Sequence, residues 1–271
     1  MKRFALIGHP VAGSLSPRLF AAAYEGRYPY DLIDAPFDQA WALFLKDYNG
    51  INVTAPYKQD AFRAVDVLSD GARDCGAVNL VVKAPDGLLH GYNTDVDGVV
   101  GAVRETGFLP ENTLVIGAGG AAMAAVVGSK ILGSKTITIA NRTYKKAAAL
   151  AAVHNCEAVS LDDIGTLTPD LVIYTVPGDA RSLPGVTVEP LPGVTVEPLP
   201  GVIPPVIPGL TGNLLRNAVV LEADYKHPSL SSAPCRKYIS GLRWILHQAI
   251  TGYSLFTGKA PDLEAMSCAI Y

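Results

Sequence analysis

The sequence of 271 residues has no long apolar run and only four cysteines. No apolar stretch approaches the roughly 20 residues of a membrane-spanning helix. The opening MKRFALIGHP has an apolar run too short for a secretory signal and is more typical of a first β-strand. The cysteines, at 75, 156, 235 and 268, show neither metal-ligand spacing nor a disulfide framework. We therefore expect a cytoplasmic protein with reduced thiols, no metal ion and no membrane contact.

An excess of positive charge is also missing. The formal net charge is −3, so no basic field attracts nucleic acid, and we expect none to bind. Hydrophobic residues make up 49% of the chain, which is sufficient for a substantial core. The length suits two domains, although some α/β folds of this size are single.

The first hundred residues have the pattern of an α/β domain. We expect strands over 3–8, 30–33 and 51–54, and a hairpin of 77–82 with 88–92. We expect helices from Ser16-Pro17, with Ser16 as N-cap, over 38–47, from Pro56 toward Leu68, and over 95–105.

Strands and helices alternate more regularly after residue 110. Strands are predicted over 112–116, 136–140 and 171–176, with helices over 121–132 and 144–154 between them. This alternation predicts βαβ units and a parallel sheet. A strand over 218–221 and helices over 241–257 and 262–271 follow, and the last helix is expected to pack on the first domain.

An eight-residue repeat interrupts this pattern. LPGVTVEP occupies 183–190 and again 191–198, and LPGVIPPV follows at 199–206. Proline and glycine in each copy exclude a helix, and the period is too short for a propeller or β-helix. We expect an extended surface loop over 183–208, which is either functional or a tandem duplication without a role.

The segment LVIGAGGAA indicates a dinucleotide site. Gly117, Gly119, Gly120 and Ala121 stand between an apolar strand and a helix, where backbone amides can approach a pyrophosphate. The strand–turn–helix context strengthens this otherwise weak motif. The alternative is a glycine-rich turn that serves only close packing.

The end of the next strand favours NADP over NAD. An NAD site usually has a carboxylate there for the ribose 2′-hydroxyl, whereas this chain has IANRTYKKA. Asn141, Arg142, Thr143 and Lys146 instead suit a 2′-phosphate. The alternative is a positively charged helix start that binds nothing.

Polar side chains follow several predicted strands of the first domain. GINVTAPYK places Asn52 and Thr54 on one strand face, with Lys58 just beyond it, and GYNTD places Asp95 at a helix start. Ketone reduction requires a proton donor, and a carboxylate beside a lysine fixes its ammonium group in position. Asn52, Thr54, Asn79 and Asn93 can bond a hydroxyl-rich substrate.

Each of these residues also has a purely structural interpretation. Lys58 could be a solvated lysine at a helix start, Asp95 or Thr94 could be an N-cap, and Ser14 and Ser16 could cap the first helix. Several such clusters at strand ends nevertheless favour a site, because that edge of an open α/β sheet faces the ligand crevice.

Together these motifs resemble the shikimate dehydrogenase family over most of the chain. The motifs are GSLSP with Ser14 and Ser16, NVTAPYK, GAVN with Asn79, GYNTDVDG, GAGGAA, NRT, ADYKHP with Tyr225, and LHQA with Gln248.

The resemblance implies an α/β protein with two domains. Residues 1–101 plus 238–271 would bind the substrate, and residues 102–237 would form a Rossmann-like domain. The implied activity is the reversible, NADPH-dependent reduction of 3-dehydroshikimate to shikimate. We expect a monomer or homodimer. Lys58 and Asp95 would be catalytic, and the implied substrate-binding residues are Ser14, Ser16, Asn52, Thr54, Asn79, Asp95, Tyr225 and Gln248.

The chain departs from the family pattern mainly near the nicotinamide. Tyr174-Thr175-Val176 replaces asparagine, alanine and threonine; Arg243 and Trp244 replace a glycine and a methionine; Gly13 and Gly252 replace a histidine and a glutamine. These changes leave two alternatives open: a dehydrogenase of quinate or another cyclic polyol, or a ligand-binding homologue with impaired catalysis.

Overall fold

The apolar start of the chain forms the first of six strands in a mixed sheet. The strands are β1 (Phe4–Gly8), β2 (Tyr30–Asp34), β3 (Gly50–Val53), β4 (Val67–Leu68), β5 (Leu80–Lys83) and β6 (Leu89–Tyr92). β1 is wholly buried and pairs in parallel with β2 and β3, while β5 runs antiparallel to β3 and β6. The spatial order is β2-β1-β3-β5-β6-β4. The expected strands and hairpin are confirmed, and β4 is additional.

Five helices accompany this sheet. They are α1 (Ser16–Ala23), α2 (Phe37–Asp47), α3 (Lys58–Ala64), α4 (Asp70–Cys75) and α5 (Asp95–Arg104). The helix predicted to run toward Leu68 is wrong in length, because Val65 is already extended and β4 pairs with β6. Ser16 as N-cap is also wrong. Leu15 occupies that position without a side-chain cap, and Ser16 is the first helical residue.

The second sheet is entirely parallel. Its strands are β7 (Asn112–Ile116), β8 (Thr136–Ala140), β9 (Glu157–Val159), β10 (Leu171–Tyr174), β11 (Val219–Glu222) and β12 (Lys237–Ile239), in the order β12-β11-β10-β7-β8-β9. The accompanying helices are α6 (Gly120–Ile131), α7 (Tyr144–His154), a 3-10 helix (Leu161–Thr166) and α8 (Asn213–Arg216). The predicted parallel α/β arrangement is therefore confirmed.

Two compact units result. The computed structural model describes residues 1–176 and 213–270, so the repeat at 183–208 lies outside the described residues. One unit is Met1–Gly101 with Trp244–Tyr271, and the other is Ala102–Arg243. The second unit extends past the expected boundary at 237, because β12 pairs with β11.

The last two helices, α9 (Gly241–Thr257) and α10 (Leu263–Ile270), return the chain to the first unit. Phe256 of α9 stacks on Phe4 of β1, with ring centroids 4.7 Å apart. The amide of Asp262 donates to the Ala23 carbonyl at 3.0 Å, and α10 contacts α1. The expected packing of the last helix on the first domain is confirmed.

All four cysteines are free. Within residues 1–176 and 213–270, no helix is long and apolar enough to cross a membrane. The same residues contain no cluster of histidine, cysteine, aspartate or glutamate suited to a metal ion.

Candidate active site

The turn after β3 is held tightly against the end of β1. The Thr54 amide donates to the Ile7 carbonyl at 3.0 Å. A Cβ at Gly8 would lie 2.3 Å from Thr54 Cγ2, so only glycine permits this approach. β3 ends at Val53, so Thr54 lies just past the strand rather than on its face as predicted. This turn delivers Lys58 to the first position of α3.

Lys58 and Asp95 form an ion pair across two helix starts. Lys58 Nζ donates to Asp95 Oδ2 at 2.6 Å, with the side chains 25% and 13% exposed. Asp95 is the first residue of α5, where the helix dipole favours a carboxylate. The pair is partly desolvated yet open enough for a ligand to reach the ammonium group. The structure thus brings together the two side chains predicted to be catalytic.

Asn79 is oriented by the residue that precedes Asp95. Its Oδ1 accepts the Thr94 amide at 2.7 Å and the Thr94 hydroxyl at 3.2 Å. Because a backbone amide can only donate, the Asn79 nitrogen must face the other way, where it donates to Gln248 Oε1 at 3.4 Å. Thr94 therefore fixes the orientation of Asn79 through both its amide and its hydroxyl.

Asn52 contacts both Asn79 and a residue that no motif indicated. Its nitrogen lies 3.4 Å from the Asn79 carbonyl, and its Oδ1 accepts the Tyr30 hydroxyl at 2.7 Å. Burial raises the pKa of Tyr30 well above its ordinary value, so this hydroxyl stays protonated and remains a donor. Tyr30 is conspicuous in sequence only as an aromatic residue at the start of a strand.

Ser14, in the loop before α1, lies beside Ser16, the first residue of that helix. Ser14 Oγ accepts the Ser16 amide, and the two hydroxyl oxygens are 3.2 Å apart. The Ser16 carbonyl accepts the Tyr253 hydroxyl of α9 at 3.0 Å. Both serines are half-buried, and neither side chain caps the helix.

Asn93 forms hydrogen bonds to backbone groups of the protein. It is buried, its nitrogen donates to the Ala77 carbonyl at 3.0 Å, and its Oδ1 accepts the Asp95 amide at 3.2 Å. These bonds position the start of α5 and give Asn93 a structural role.

The glycine-rich turn of the second unit leaves its surface open. Gly117 has φ of +126°, and a Cβ there would lie 2.1 Å from Thr175 Oγ1. Among residues 1–176 and 213–270, no atom would lie within 4 Å of a Cβ at Gly119 or Gly120. α6 begins here with no side-chain cap and no acidic residue in its first turn. Such a helix start, with Ala121 beside it, fits a pyrophosphate group.

The segment after β8 is cationic. Asn141 Nδ2 donates to the Thr143 carbonyl at 3.1 Å, which shapes the turn into α7. Arg142, Thr143 and Lys146 are exposed, and Lys145 adds a third cation that the sequence interpretation left out. Exposed guanidinium and ammonium groups here fit a phosphate on the ribose.

Four residues that depart from the family pattern have packing or ionic contacts that account for them. Tyr174 is buried in the core of the second unit, and Arg243 forms an ion pair with Glu105. Trp244 is buried against Gly98, where any Cβ would clash with the indole. A Cβ at Gly252 would lie 2.7 Å from Leu80 Cδ1, which leaves little room for glutamine.

Tyr225 belongs to the second unit, unlike the other residues predicted to bind substrate. It is half-buried, and burial raises the pKa of its hydroxyl. The neighbouring Glu222, which the sequence interpretation missed, is fully buried. Glu222 accepts bonds from the Ser229 amide and hydroxyl, the Leu230 amide and the Tyr238 hydroxyl, and so shapes the loop that contains Tyr225.

Known proteins match the chain along most of its length. Residues 6–81 match the model of the shikimate dehydrogenase substrate binding domain, and residues 103–177 match that of shikimate / quinate 5-dehydrogenase. The chain is 34% identical to the shikimate dehydrogenase (NADP(+)) of Exiguobacterium sp., covering 95% of this chain and 94% of that protein.

Two solved structures show the same fold. The shikimate 5-dehydrogenase of Thermus thermophilus, in complex with NADP(H) and shikimate, gives a TM-score of 0.81 at 27% identity, covering 100% of this chain and 98% of that one. The quinate dehydrogenase of Corynebacterium glutamicum, in complex with NAD, gives a TM-score of 0.79 at 25% identity, covering 99% and 98%.

Proposed function

Because the chain belongs to the shikimate dehydrogenase family, we propose that it catalyses the reversible, NADPH-dependent reduction of 3-dehydroshikimate to shikimate. The observation that carries this function is the Lys58–Asp95 ion pair at 2.6 Å beside a set of oriented amides. The exposed cations after β8, with no carboxylate among residues 141–146, support NADP as the cofactor.

Lys58 is the proton donor in this proposal. Reduction of the ketone adds a hydride to the carbonyl carbon and a proton to the oxygen. When bound, NADPH supplies the hydride. The Lys58 ammonium group transfers its proton to the oxygen as negative charge develops there, and in the reverse direction the neutral amine accepts it. Asp95 orients the ammonium group through the bond between Nζ and Oδ2.

The remaining polar residues hold the substrate in this proposal. Ser14 and Ser16 offer paired hydroxyls that suit a carboxylate. Thr54 and the amide groups of Asn52, Asn79 and Gln248 suit the ring hydroxyls. Tyr225 of the second unit is proposed as a further substrate contact on the resemblance alone.

The cofactor is assigned to the second unit. Gly117, Gly119, Gly120 and Ala121 would hold the pyrophosphate, and the open space around Gly119 and Gly120 supports this assignment. Asn141, Arg142, Thr143 and Lys146 would hold the adenosine 2′-phosphate.

The test is NADPH oxidation followed by absorbance with 3-dehydroshikimate as substrate. NADH in place of NADPH, and quinate with NADP⁺, are run alongside. We expect rapid decay with NADPH and slower decay with NADH. Absence of decay, alongside shikimate binding by calorimetry, would overturn the catalytic proposal in favour of a ligand-binding homologue.

Quinate is the second candidate substrate. It is favoured by Trp244, which fills space against Gly98 at a position where the family has methionine. Faster turnover of quinate than of shikimate would replace the first proposal. A cytoplasmic location and a monomeric or homodimeric state are proposed from the sequence, and gel filtration with light scattering tests the latter.

A further inference from the structure

Asp34 joins the end of β2 to the loop that contains the two serines. One carboxylate oxygen, Oδ2, accepts the Val11 amide at 3.2 Å, and the other, Oδ1, lies 2.5 Å from His9 Nδ1. Both partners belong to the segment between β1 and α1. This aspartate is outside every motif on which the family resemblance rests, and the proposed mechanism does not use it.

Hydrogen bonds connect Val11 to Ser14, and Ser14 to Ser16. The Val11 carbonyl accepts the Ser14 amide at 3.3 Å, and Ser14 Oγ accepts the Ser16 amide at 3.2 Å. A single relay thus runs from the Asp34 carboxylate through the loop backbone to the first helical residue. Val11 is only 4% exposed, and a buried amide needs an acceptor, so the loop depends on this carboxylate.

The His9 contact holds the same loop at its other end. The His9 amide donates to the Ala55 carbonyl at 3.3 Å, so the backbone here is already tied to the turn that leads to Lys58. Hydrogen bonds from His9 and from Val11 lower the pKa of Asp34, which keeps it an acceptor at neutral pH. Because a carboxylate only accepts, His9 Nδ1 must be the donor in this pair.

We propose that Asp34 is a positioning residue that holds the loop of residues 9–16 so that the Ser14 and Ser16 hydroxyls face the substrate carboxylate. The inference rests on the proposed function of the two serines. In this proposal Asp34 contributes to substrate affinity and takes no part in the proton transfer.

The chain offers a matched control on the same strand. Asp31 also belongs to β2 and also accepts two hydrogen bonds, in its case both from side chains: the Arg3 guanidinium and the Tyr48 hydroxyl. Neither partner is in the serine loop. Asp31→Ala therefore removes a comparable partly exposed carboxylate without disturbing residues 9–16.

The experiment measures KM and kcat for shikimate, KM for NADP⁺ and Tm in Asp34→Ala, Asp34→Asn and Asp31→Ala. We expect Asp34→Ala to raise the shikimate KM about five- to tenfold, as for the loss of one hydrogen bond of ordinary strength, with the other two constants changed less than about twofold. Asp34→Asn keeps an oxygen for the Val11 amide and should restore most of the affinity. Asp31→Ala should match wild type in all three constants.

A double-variant cycle with Ser14→Ala tests the relay itself. In the Ser14→Ala background, Asp34→Ala should add less than about twofold to the shikimate KM, because the two residues act through one interaction. Effects that multiply would overturn the inference, as would an unchanged KM in Asp34→Ala or an equal rise in Asp31→Ala. Wild-type protein that neither turns over nor binds shikimate would instead overturn the proposed function, and the inference with it.

Discussion

The turn after β1 and the turn after β7 both depend on glycine, but for opposite reasons. At Gly8 the missing Cβ leaves space that the protein itself fills, with Thr54 Cγ2 2.3 Å from where that atom would be. At Gly119 and Gly120 no atom of the described part of the chain lies within 4 Å of that position, which is the space that we propose for the cofactor. Glycine after a buried strand can thus serve packing or binding, and only the surrounding atoms distinguish the two.

The polar side chains proposed for the site also differ between the two units, in how far other protein groups hold them in place. In the first unit, Asn52, Asn79 and Asp95 are each oriented by bonds to other protein groups. In the second unit, Arg142 lies in the exposed turn before α7 and Lys146 is exposed in the first turn of that helix. We expect changes in the first unit to alter turnover or substrate affinity, and changes in the second to alter cofactor affinity.

The largest expected effect is that of Lys58→Ala. Loss of the proton donor should lower kcat by about 10²- to 10⁴-fold. NADPH binding, measured by fluorescence titration, should change little. Equal loss of turnover and of NADPH affinity would contradict the division of roles between the units.

Arg142→Ala should have the next largest effect. Removing a guanidinium group from a phosphate site should reduce the preference for NADPH over NADH by about 10- to 100-fold. The measurement is kcat/KM for each cofactor, with Lys135→Ala, which removes an exposed cation before β8, as the control. An unchanged preference would show that the adenosine 2′-phosphate binds elsewhere.

Substitutions of Gly8 and Gly119 directly test the comparison between the two turns. Gly8→Ala should lower the free energy of unfolding by about 1–3 kcal/mol, because the new methyl group overlaps Thr54. Gly119→Ala should leave stability nearly unchanged, since Gly119 has φ of −99° and open surroundings, yet it should raise the KM for NADPH several-fold. Urea unfolding and initial rates measure the two effects. The opposite pattern would reverse our assignment of the two turns.

The smallest expected effect concerns Cys75. Burial, with the nearby Asp95 and Asp74, raises the pKa of this thiol to about 12, so it is protonated at pH 8. We expect no labelling of Cys75 in the native protein, whereas the exposed Cys268 should react readily. Mass spectrometry after treatment with a thiol reagent checks this, and labelling of Cys75 at the rate of Cys268 would contradict it.

Most of the fold could be predicted from local patterns. β7, β8, α7 and α9 lie at the predicted residues, because each combines clear periodicity with a clear end signal. The short elements α4, β4 and β12 were missed, since two to six residues carry too little periodicity. They form where neighbouring strands or helices already provide a partner, which no local pattern reveals.

The candidate site was predictable where motifs mark residues that we propose to act on a ligand. Lys58 and Asp95 were found in this way, and the structure brings them within 2.6 Å of each other. Tyr30, Asp34 and Glu222 were missed because they act on other protein groups through distant contacts. Nothing within their own segments shows which carbonyl, amide or hydroxyl they will meet.

The stacking of Phe256 on Phe4 has a consequence for how the protein is made. The aromatic core of the first unit joins residues near the start of the chain to residues that the ribosome adds after the whole second unit. Residues 1–101 therefore leave the ribosome without the partners that complete their core. We expect the second unit to fold first during translation. The first unit would complete its core only after α9 and α10 have been synthesised.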